Sequence, residues 1–240
     1  MTGVDLLAFG PHPDDIEIGL GGTVAKHAAL GHAVGLCDLT RGEMSSNGTP
    51  EERLREAEQA RKVLGAVWRE NLALPDRAIG TSPDHIQRVV ELIRRVRPRA
   101  IAIPYAQDRH PDHQTSAAML RDAVFNAKLR RFAAAGDPWQ PEWVCSYFIN
   151  DTGPVSFIVD VSAHYDVKRQ ALACYTSQFT RATGASQTRL NAATFQQLIE
   201  SRDAQYGALA GVQFAEGIVV GEPVVREHLL KGERDSGPRD

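Results

Sequence analysis

The sequence has little cysteine, few aromatic residues and no long apolar run, and each shortage excludes a class of protein. Three cysteines among 240 residues, Cys37, Cys145 and Cys174, form neither a disulfide framework nor a CxxC metal motif. We interpret them as small buried apolar residues of a protein in a reducing compartment. Aromatic residues make up 7% of the chain, which argues against a platform on which nucleic-acid bases stack.

The chain also lacks a membrane-spanning segment and an excess of basic residues. No apolar stretch reaches about 18 residues, the length needed to cross a bilayer. The first residues contain Asp5 and no basic cluster, which is not typical of a signal peptide. The 27 basic and 30 acidic residues give a net charge of −3, so no basic surface indicates nucleic-acid binding. We therefore predict a cytoplasmic protein without nucleic-acid or membrane partners.

What is present is an alternation of strand-like and helix-like segments over the first half of the chain. Apolar runs predict strands at residues 4–10, 32–40, 67–74 and 100–105. Helical patterns occupy residues 18–30, 50–64, 82–97 and 114–129. Thr49, Pro50 and Glu52 give the second helix the pattern of a capping box with proline in the first turn. This order predicts a Rossmann-like three-layer α/β/α fold with a mostly parallel sheet.

The second half of the chain is less regular. It predicts extra strands at residues 143–149, 155–161 and 214–220, and helices at 167–178 and 194–209. We find no internal repeat and no linker that would divide the chain. We therefore predict a single domain over residues 1–230, followed by a polar tail at 231–240.

Two polar motifs follow two of the predicted parallel strands. The sequence PHPDD occupies residues 11–15, directly after the first strand, and DRHPDH occupies residues 108–113, shortly after the fourth. Ligands of open α/β sheets bind beyond the carboxyl ends of the strands, so the two motifs can line one crevice. Aspartate and proline are also common in ordinary turns, but two such motifs at matching strand ends favour a metal site.

The spacing within the motifs indicates pairs of metal ligands. His12 and Asp15 are three residues apart, as are His110 and His113, so each pair can face the same side of a helical turn. His12, Asp15 and one histidine of the second motif give the two nitrogens and one oxygen of a catalytic zinc site. Because the set contains no thiolate, another divalent metal also fits.

The remaining polar residues of the motifs suggest catalytic roles. Asp14 adjoins the ligands and is a natural general base beside a metal-bound water. The histidine that does not bind the metal can protonate a leaving amine or stabilise a developing oxyanion. Asp112 can accept the N–H of that histidine and fix its tautomer.

Other catalytic patterns are missing from the sequence. It contains neither the GxSxG elbow of serine hydrolases nor a phosphate-binding GxxxxGK[ST] loop. The glycines of residues 19–22 do not complete a dinucleotide-binding GxGxxG pattern, because Val24 occupies the last position. We interpret these glycines as positions where a helix packs closely against the sheet.

At the two motifs the sequence resembles the LmbE/PIG-L-like zinc-dependent deacetylases, which remove acetyl groups from N-acetylglucosaminyl compounds. The signature of that family is a (P/A)HPDD loop near the N-terminus and an HPDH loop about 100 residues later, and the resemblance covers nearly the whole chain. Weaker matches are similar to the bacillithiol-biosynthesis branch, which deacetylates N-acetylglucosaminyl malate. They lie at residues 40–43, 48–53, 74–76, 175–178 and 215–217.

The resemblance implies a role for each motif residue. It implies zinc on His12, Asp15 and His113, with Asp14 as the general base. His110 would be the polarising or acid residue, and Asp112 would orient a histidine.

The resemblance also suggests substrate contacts and an assembly state. It implies that Arg53 contacts the carboxylate or hydroxyls of the substrate, and Asp76 and Arg109 are weaker candidates. Relatives often form hexamers, so we expect a homo-oligomer. Alternative substrates are free N-acetylglucosamine, diacetylchitobiose and a mycothiol-type conjugate. A metal- or sugar-binding protein without turnover is the non-enzyme alternative, and the presence of Asp14 argues against it.

One feature departs from the family pattern. Some relatives carry a tyrosine near the metal, either two residues before the HPDH loop or in a later loop. This chain has Asp108 at the first position and no tyrosine at residues 188–198. We therefore assign no catalytic tyrosine, and we interpret Tyr105, the nearest one, as a packing residue at a strand end.

Overall fold

The computed structural model describes residues 3–180 and 183–223, in which one seven-stranded sheet is flanked by helices. The strands are β1 (Leu6–Gly10), β2 (Val34–Thr40), β3 (Trp68–Leu74), β4 (Ala100–Pro104), β5 (Trp143–Tyr147), β6 (Phe157–Asp160) and β7 (Ala215–Val220). The helices are α1 (Asp15–Ala29), α2 (Pro50–Leu64), α3 (Pro83–Val96), α4 (Pro111–Ala127), α5 (Tyr165–Ala173), α6 (Thr176–Phe179) and α7 (Ala193–Ala210).

The strand order in the sheet is β3–β2–β1–β4–β5–β7–β6. The first five strands are parallel, whereas β7 is inserted between β5 and β6 and runs antiparallel to both. This arrangement confirms the predicted mostly parallel sheet with extra strands in the C-terminal part. The sequence did not show that the last strand would lie inside the sheet.

The two faces of the sheet carry separate hydrophobic clusters. Leu6 and Ala8 of β1 join the cluster under α1, α2, α5 and α7, whereas Leu7 and Phe9 join the cluster under α3 and α4. Successive side chains of a strand point to opposite faces, so a strand covered on both sides is apolar throughout. This explains why the central strands β1 and β4 are continuous apolar runs, whereas the edge strand β3 contains polar residues, and it confirms the three layers.

Helix α2 forms as its capping pattern predicts. The Thr49 hydroxyl accepts a hydrogen bond from the backbone N–H of Glu52 at 3.2 Å, and the Glu52 carboxylate accepts one from the N–H of Thr49 at 2.8 Å. The helix ends at Gly65, whose φ of 75° is the left-handed conformation that glycine adopts without strain.

Helices α1 and α4 begin three residues earlier than predicted, at Asp15 and Pro111. The predictions left the polar motifs outside the helices, but proline and acidic residues are favourable in a first turn. The polar motifs therefore form the first turns of these two helices.

The helix predicted at residues 167–178 is divided into α5 and α6. The break falls at Tyr175, whose ψ of 62° is not helical. Its side chain is fully buried, and its hydroxyl donates to the carboxylate of Glu17 at 3.1 Å. The tertiary contact with α1 thus overrides the local helical pattern.

The glycines of α1 allow the close packing that the sequence indicated. A Cβ at Gly19 would lie 2.4 Å from the carbonyl oxygen of Phe148, and one at Gly22 would lie 2.7 Å from Val161. The three cysteines are free, Cys37 being buried and the other two partly buried.

A buried ion cluster joins the antiparallel end of the sheet to α1. The ammonium group of Lys168 on α5 lies 2.7 Å from the carboxylate of Asp203 and 2.6 Å from that of Glu216 on β7. The Glu216 carboxylate also accepts hydrogen bonds from the backbone N–H groups of Gly22 and Thr23, at 2.9 and 2.7 Å. Strand β7 and α5 therefore hold the middle of α1.

Two predictions from the sequence remain untested. The polar tail predicted at 231–240 lies outside the described residues, and a single domain over residues 1–230 stays a prediction. Among the helices of the described residues, none is long and apolar enough to cross a bilayer.

Candidate active site

The candidate site lies where the connections of the sheet change direction. Strand β1 pairs with β2 on one side and with β4 on the other, and ligands of open α/β sheets bind at such a switch point. The loops beyond the carboxyl ends of these strands line a cavity of about 440 Å³, which includes residues of both motifs. This volume is in the range of small-molecule sites.

Three buried side chains form a candidate metal centre at the inner end of the cavity. His12, Asp15 and His113 each offer a ligand atom within 4.8 Å of the other two. The Oδ2 atom of Asp15 lies 3.1 Å from Nδ1 of His12 and 3.3 Å from Nε2 of His113. The structure thus brings together the three residues predicted to bind metal. His12, His110 and Asp112 also lie within 4.8 Å of one another, but Arg77 already neutralises Asp112.

Each histidine of this metal centre has a carboxylate at its other ring nitrogen. His113 Nδ1 lies 3.0 Å from Asp108, and His12 Nε2 lies 3.2 Å from Asp76 and 3.3 Å from Asp112. Such partners fix the tautomer and orientation of metal-binding histidines. The two nitrogens and one oxygen, with carboxylates behind both imidazoles, suit a divalent cation such as Zn²⁺.

The role of Asp108 was not predicted from the sequence. Its carboxylate also accepts hydrogen bonds from the backbone N–H of His110 at 2.7 Å and from the side chain of Asn150 at 3.0 Å. The first of these is a turn contact between residues two apart, which the sequence could have suggested. The contacts with His113 and Asn150 depend on the fold.

The prediction that Asp112 orients the histidine that does not bind metal is wrong for His110. The Asp112 carboxylate contacts His12 instead, and it accepts hydrogen bonds from the backbone N–H and the guanidinium of Arg77, at 3.0 and 2.9 Å. Asp112 lies in the first turn of α4, and Arg77 in the loop after β3 draws its side chain away from His110. Asp112 does contact a histidine, but a different one.

His110 is the N-cap of α4, and its backbone contacts define its tautomer. Nδ1 accepts a hydrogen bond from the N–H of Asp112 at 3.2 Å, so the neutral ring carries its proton on Nε2. Burial lowers the pKa of His110, and the neighbouring His12 and His113 lower it further. The ring is therefore a neutral hydrogen-bond donor near pH 7.

Asp14 is a buried carboxylate in an unusual backbone conformation. It is the N-cap of α1 with φ 110° and ψ −27°, a conformation that costs a residue other than glycine on the order of 1–3 kcal/mol. Its carboxylate lies 3.0 Å from the guanidinium of Arg53. Burial raises the pKa of Asp14 to about 7, although the positive charge of Arg53 lowers it. A pKa in this range suits a general base at neutral pH.

The charges of the candidate metal centre are strongly coupled. Burial lowers the pKa of His113, but Asp15 and Asp108 raise it by more, to about 9. Burial raises the pKa of Asp15, but His113 and His12 hold it well below its usual range. A metal ion must displace the imidazole protons to bind, so these values couple metal binding to proton release.

The three predicted substrate contacts lie at the cavity in different environments. Arg53 is buried and donates to Asp14 and to the carbonyl oxygen of Pro13. The Asp76 carboxylate accepts the backbone N–H of Met44 at 2.9 Å in addition to its contact with His12. Arg109 is exposed, and its backbone N–H donates to the carboxylate of Asp151 at 2.8 Å.

The mouth of the cavity is formed by two loops that bond to each other. Met44 lines it from the loop after β2, and Arg189 lines it from the segment before α7. The side-chain amide of Asn47 donates to the carbonyl oxygen of Ser186 and accepts from its N–H, both at 2.9 Å. These two bonds join the loops across the outer part of the cavity.

The structure gives Tyr105 a packing role. Its ring lies 4.7 Å from that of Phe148, and it follows the end of β4. No tyrosine is among the described residues that line the cavity.

The fold and the inner cavity together define a class of protein. A buried His/Asp/His set at the switch point of an α/β sheet, beside a carboxylate with a pKa near neutrality, is the equipment of a metal-assisted hydrolase. Residues 7–124 match the PIG-L family, described as GlcNAc-PI de-N-acetylase. The chain belongs to the PIG-L/LmbE family, and it is a hydrolytic N-deacetylase.

Comparisons over longer stretches agree with this family. The chain is 37% identical to the conserved protein TT1542 from Thermus thermophilus, covering 95% of this chain and 100% of that one, with a TM-score of 0.84. It is 28% identical to a diacetylchitobiose deacetylase of Thermococcus kodakarensis, covering 89% of this chain and 81% of that protein. It is 26% identical to a 1D-myo-inositol 2-acetamido-2-deoxy-alpha-D-glucopyranoside deacetylase of Rhodococcus opacus, covering 78% and 85%.

Proposed function

We propose that the protein is a zinc-dependent hydrolase that removes the N-acetyl group from an N-acetylglucosaminyl conjugate. The observation that carries this proposal is the His12, Asp15 and His113 set, with Asp14 beside it, at the inner end of a cavity large enough for a sugar. N-acetylglucosaminyl malate is the first candidate substrate.

In this proposal His12, Asp15 and His113 would hold the metal. A Zn²⁺ ion bound there would supply a Lewis acid for the acetyl carbonyl and would lower the pKa of a water so that it can be deprotonated near neutral pH. Asp108 orients His113, while Asp76 and Asp112 orient His12 through its other ring nitrogen. These carboxylates keep both imidazoles in the tautomer that binds a cation.

The residues beside the metal ligands carry the proton transfers. Asp14 takes a proton from the attacking water, and the Nε2–H of His110 donates a hydrogen bond to the developing oxyanion. The C–N bond then breaks, and the amine leaves with the proton that Asp14 took from the water, because a neutral His110 can donate a hydrogen bond but has no proton to give up. The net reaction adds one water across the amide and yields acetate and a free amino sugar.

The choice among substrates rests on the outer part of the cavity. The Arg109 and Arg189 guanidiniums line it, and neither forms an ion pair within the described part of the chain. Two such cations favour an anionic substituent on the sugar, as in a malate conjugate. Asp76 remains a candidate for contact with the sugar itself, whereas the guanidinium of Arg53 is hydrogen-bonded to Asp14 and to the carbonyl oxygen of Pro13. Diacetylchitobiose and an N-acetylglucosaminyl inositol, the substrates that the names of two relatives indicate, are the alternatives.

The test is acetate release by the purified protein from a panel of N-acetylglucosaminides. The panel contains the malate conjugate, free N-acetylglucosamine, diacetylchitobiose and the inositol conjugate. We expect the highest kcat/KM on the malate conjugate, loss of activity after chelation, and recovery when zinc is restored. Metal analysis of the same samples should show one zinc per chain in the active form.

Two outcomes would contradict the proposal. Release of acetate from none of the four compounds by zinc-loaded protein would remove the proposed activity and leave the metal- or sugar-binding alternative. Equal activity before and after complete removal of metal would exclude the zinc role. The homohexameric state and the cytoplasmic location stay predictions, and sedimentation analysis tests the first.

A further inference from the structure

The guanidinium of Arg53 contacts both the side chain of Asp14 and the peptide group that precedes Asp14, beside the candidate metal centre. Its Nη2 atom donates to the carboxylate Oδ2 of Asp14 at 3.0 Å and to the carbonyl oxygen of Pro13. Asp14 has φ 110°, so its backbone lies in a region that residues other than glycine rarely adopt. One nitrogen therefore contacts the peptide before Asp14 and the side chain of Asp14 itself.

The loop after β2 packs closely against this guanidinium. Gly42 packs against it so closely that an added Cβ would lie 2.0 Å from Nη1 of Arg53. Arg53 itself is on the buried side of α2, with 4% of its side chain exposed. The loop and the helix therefore bring the guanidinium to Asp14 at the side of the cavity that Arg53 lines.

We propose that Arg53 is a positioning residue that acts through Asp14, and that Gly42 is required to keep it there. The inference rests on the proposed function, in which Asp14 is the general base. A carboxylate at an exposed turn would rotate freely, whereas this one is held in a single direction by a buried cation. Because proton transfer depends on geometry, loss of this contact lowers the rate of the chemical step more than it weakens substrate binding.

Glycine substitutions give a matched test of this proposal. Gly42→Ala places a methyl group against the Arg53 guanidinium at a position with φ +66°. Gly31→Ala imposes the same kind of backbone strain, at φ +84°, where the added Cβ would meet nothing within 4 Å. In the zinc-loaded enzyme we expect Gly42→Ala to lower kcat by roughly 10- to 100-fold with little change in KM. Gly31→Ala should retain the wild-type kcat and KM.

Arg53→Ala provides a second, independent measurement. We expect the same loss of kcat, and partial recovery when guanidinium ion is added at concentrations that do not unfold the protein. A rise in KM without a fall in kcat, in Arg53→Ala or Gly42→Ala, would show that Arg53 binds substrate and does not position the base. An unchanged kcat in both variants would also overturn the proposal.

A structural measurement separates this proposal from the proposed function. Crystal structures of the zinc-loaded wild type, Gly42→Ala and Gly31→Ala report the position of the Asp14 carboxylate without any substrate. We expect it to be displaced in Gly42→Ala only. An unmoved carboxylate in Gly42→Ala would refute the positioning role, whichever compounds the wild type deacetylates. Failure of the wild type to release acetate would instead count against the proposed function alone.

Discussion

The inner end of the cavity and its mouth differ in the burial and the pairing of their charged side chains. At the inner end, the side chains of His12, Asp15 and His113 are buried, and each is bonded to another charged group. At the mouth, Arg109 and Arg189 are exposed and have no ion pair within the described residues. Buried side chains that are bonded to other residues of the fold are held in place before the substrate binds, and a catalytic reaction needs its groups held in this way. Exposed charged groups without an ion pair in the described part of the chain can adapt to a substrate, so we expect the inner end to determine the reaction and the mouth to determine the substrate.

The largest expected effect is the loss of the general base at the inner end. Asp14→Asn keeps the size of the side chain but cannot accept the proton, so we expect kcat to fall by about 10²–10⁴-fold. The readout is acetate release at saturating substrate, with zinc content measured on the same sample. Wild-type turnover by a fully zinc-loaded Asp14→Asn protein would remove Asp14 from the mechanism.

The second effect concerns stability of the metal-free protein. Folding raises the pKa of His113 from 6.5 to about 9, so the folded state keeps a proton that the unfolded chain loses. The resulting stabilisation is fully present below pH 6.5 and is lost as the pH rises through about 9. The change is on the order of 3 kcal/mol.

Denaturant unfolding of chelated wild type and His113→Gln measures this effect. We expect the advantage of the wild type to shrink as the pH rises across that interval. Zinc-loaded wild type should not lose stability there, because a bound imidazole carries no proton at the metal-binding nitrogen. An advantage of the chelated wild type that grows with pH would contradict the assigned charge state.

A smaller effect is expected from the carboxylate behind His113. Asp108→Asn removes the negative charge at Nδ1 while retaining most hydrogen bonds, and we expect zinc affinity or activity to fall by about 10- to 100-fold. Asp122→Asn, which changes an exposed carboxylate on the same helix as His113, is the control and should match the wild type. The measurement is zinc affinity, determined by competition with a chelator. Equal affinities of the two variants would exclude a role for Asp108.

The smallest effect is expected at the mouth. Arg109→Ala should raise KM for an acidic conjugate roughly fivefold and leave kcat unchanged, since an exposed charged contact contributes on the order of 1 kcal/mol. KM for free N-acetylglucosamine should not change. Arg121→Ala removes another exposed arginine and serves as the control. A fall in kcat for Arg109→Ala would mean that the mouth takes part in the chemical step, and it would contradict the division of roles between the mouth and the inner end.

The fold was predictable where local signals and the core agree. The capping box at Thr49 and Glu52 and the apolar strands of the first half lie where their patterns place them. The helix break at Tyr175 and the insertion of β7 between β5 and β6 were not predictable. Both depend on contacts with residues far away in the sequence, such as the bond between Tyr175 and Glu17.

The same division applies to the site. The two motifs indicated His12, Asp15 and one histidine of the second motif because short spacings and strand ends are visible in a sequence, and the resemblance to the family implied that this histidine is His113. The partner of each imidazole was harder to predict: Asp112 bonds to His12 across 100 residues, and Asp76 does so across 64. Side-chain directions of this kind follow from how the loops meet, which local spacing does not encode.

The contacts of α1 with the C-terminal part of the chain have a consequence for truncation. Residues 7–124 match the family and contain every proposed metal ligand, yet Ile18 and Gly22 of α1 bond to Arg202 and Glu216. A fragment ending after α4 would keep all the reacting groups, but it would expose the face of α1 that packs on α5 and β7. We therefore expect the shortest fragment that folds and is active to extend beyond the catalytic residues, through β7.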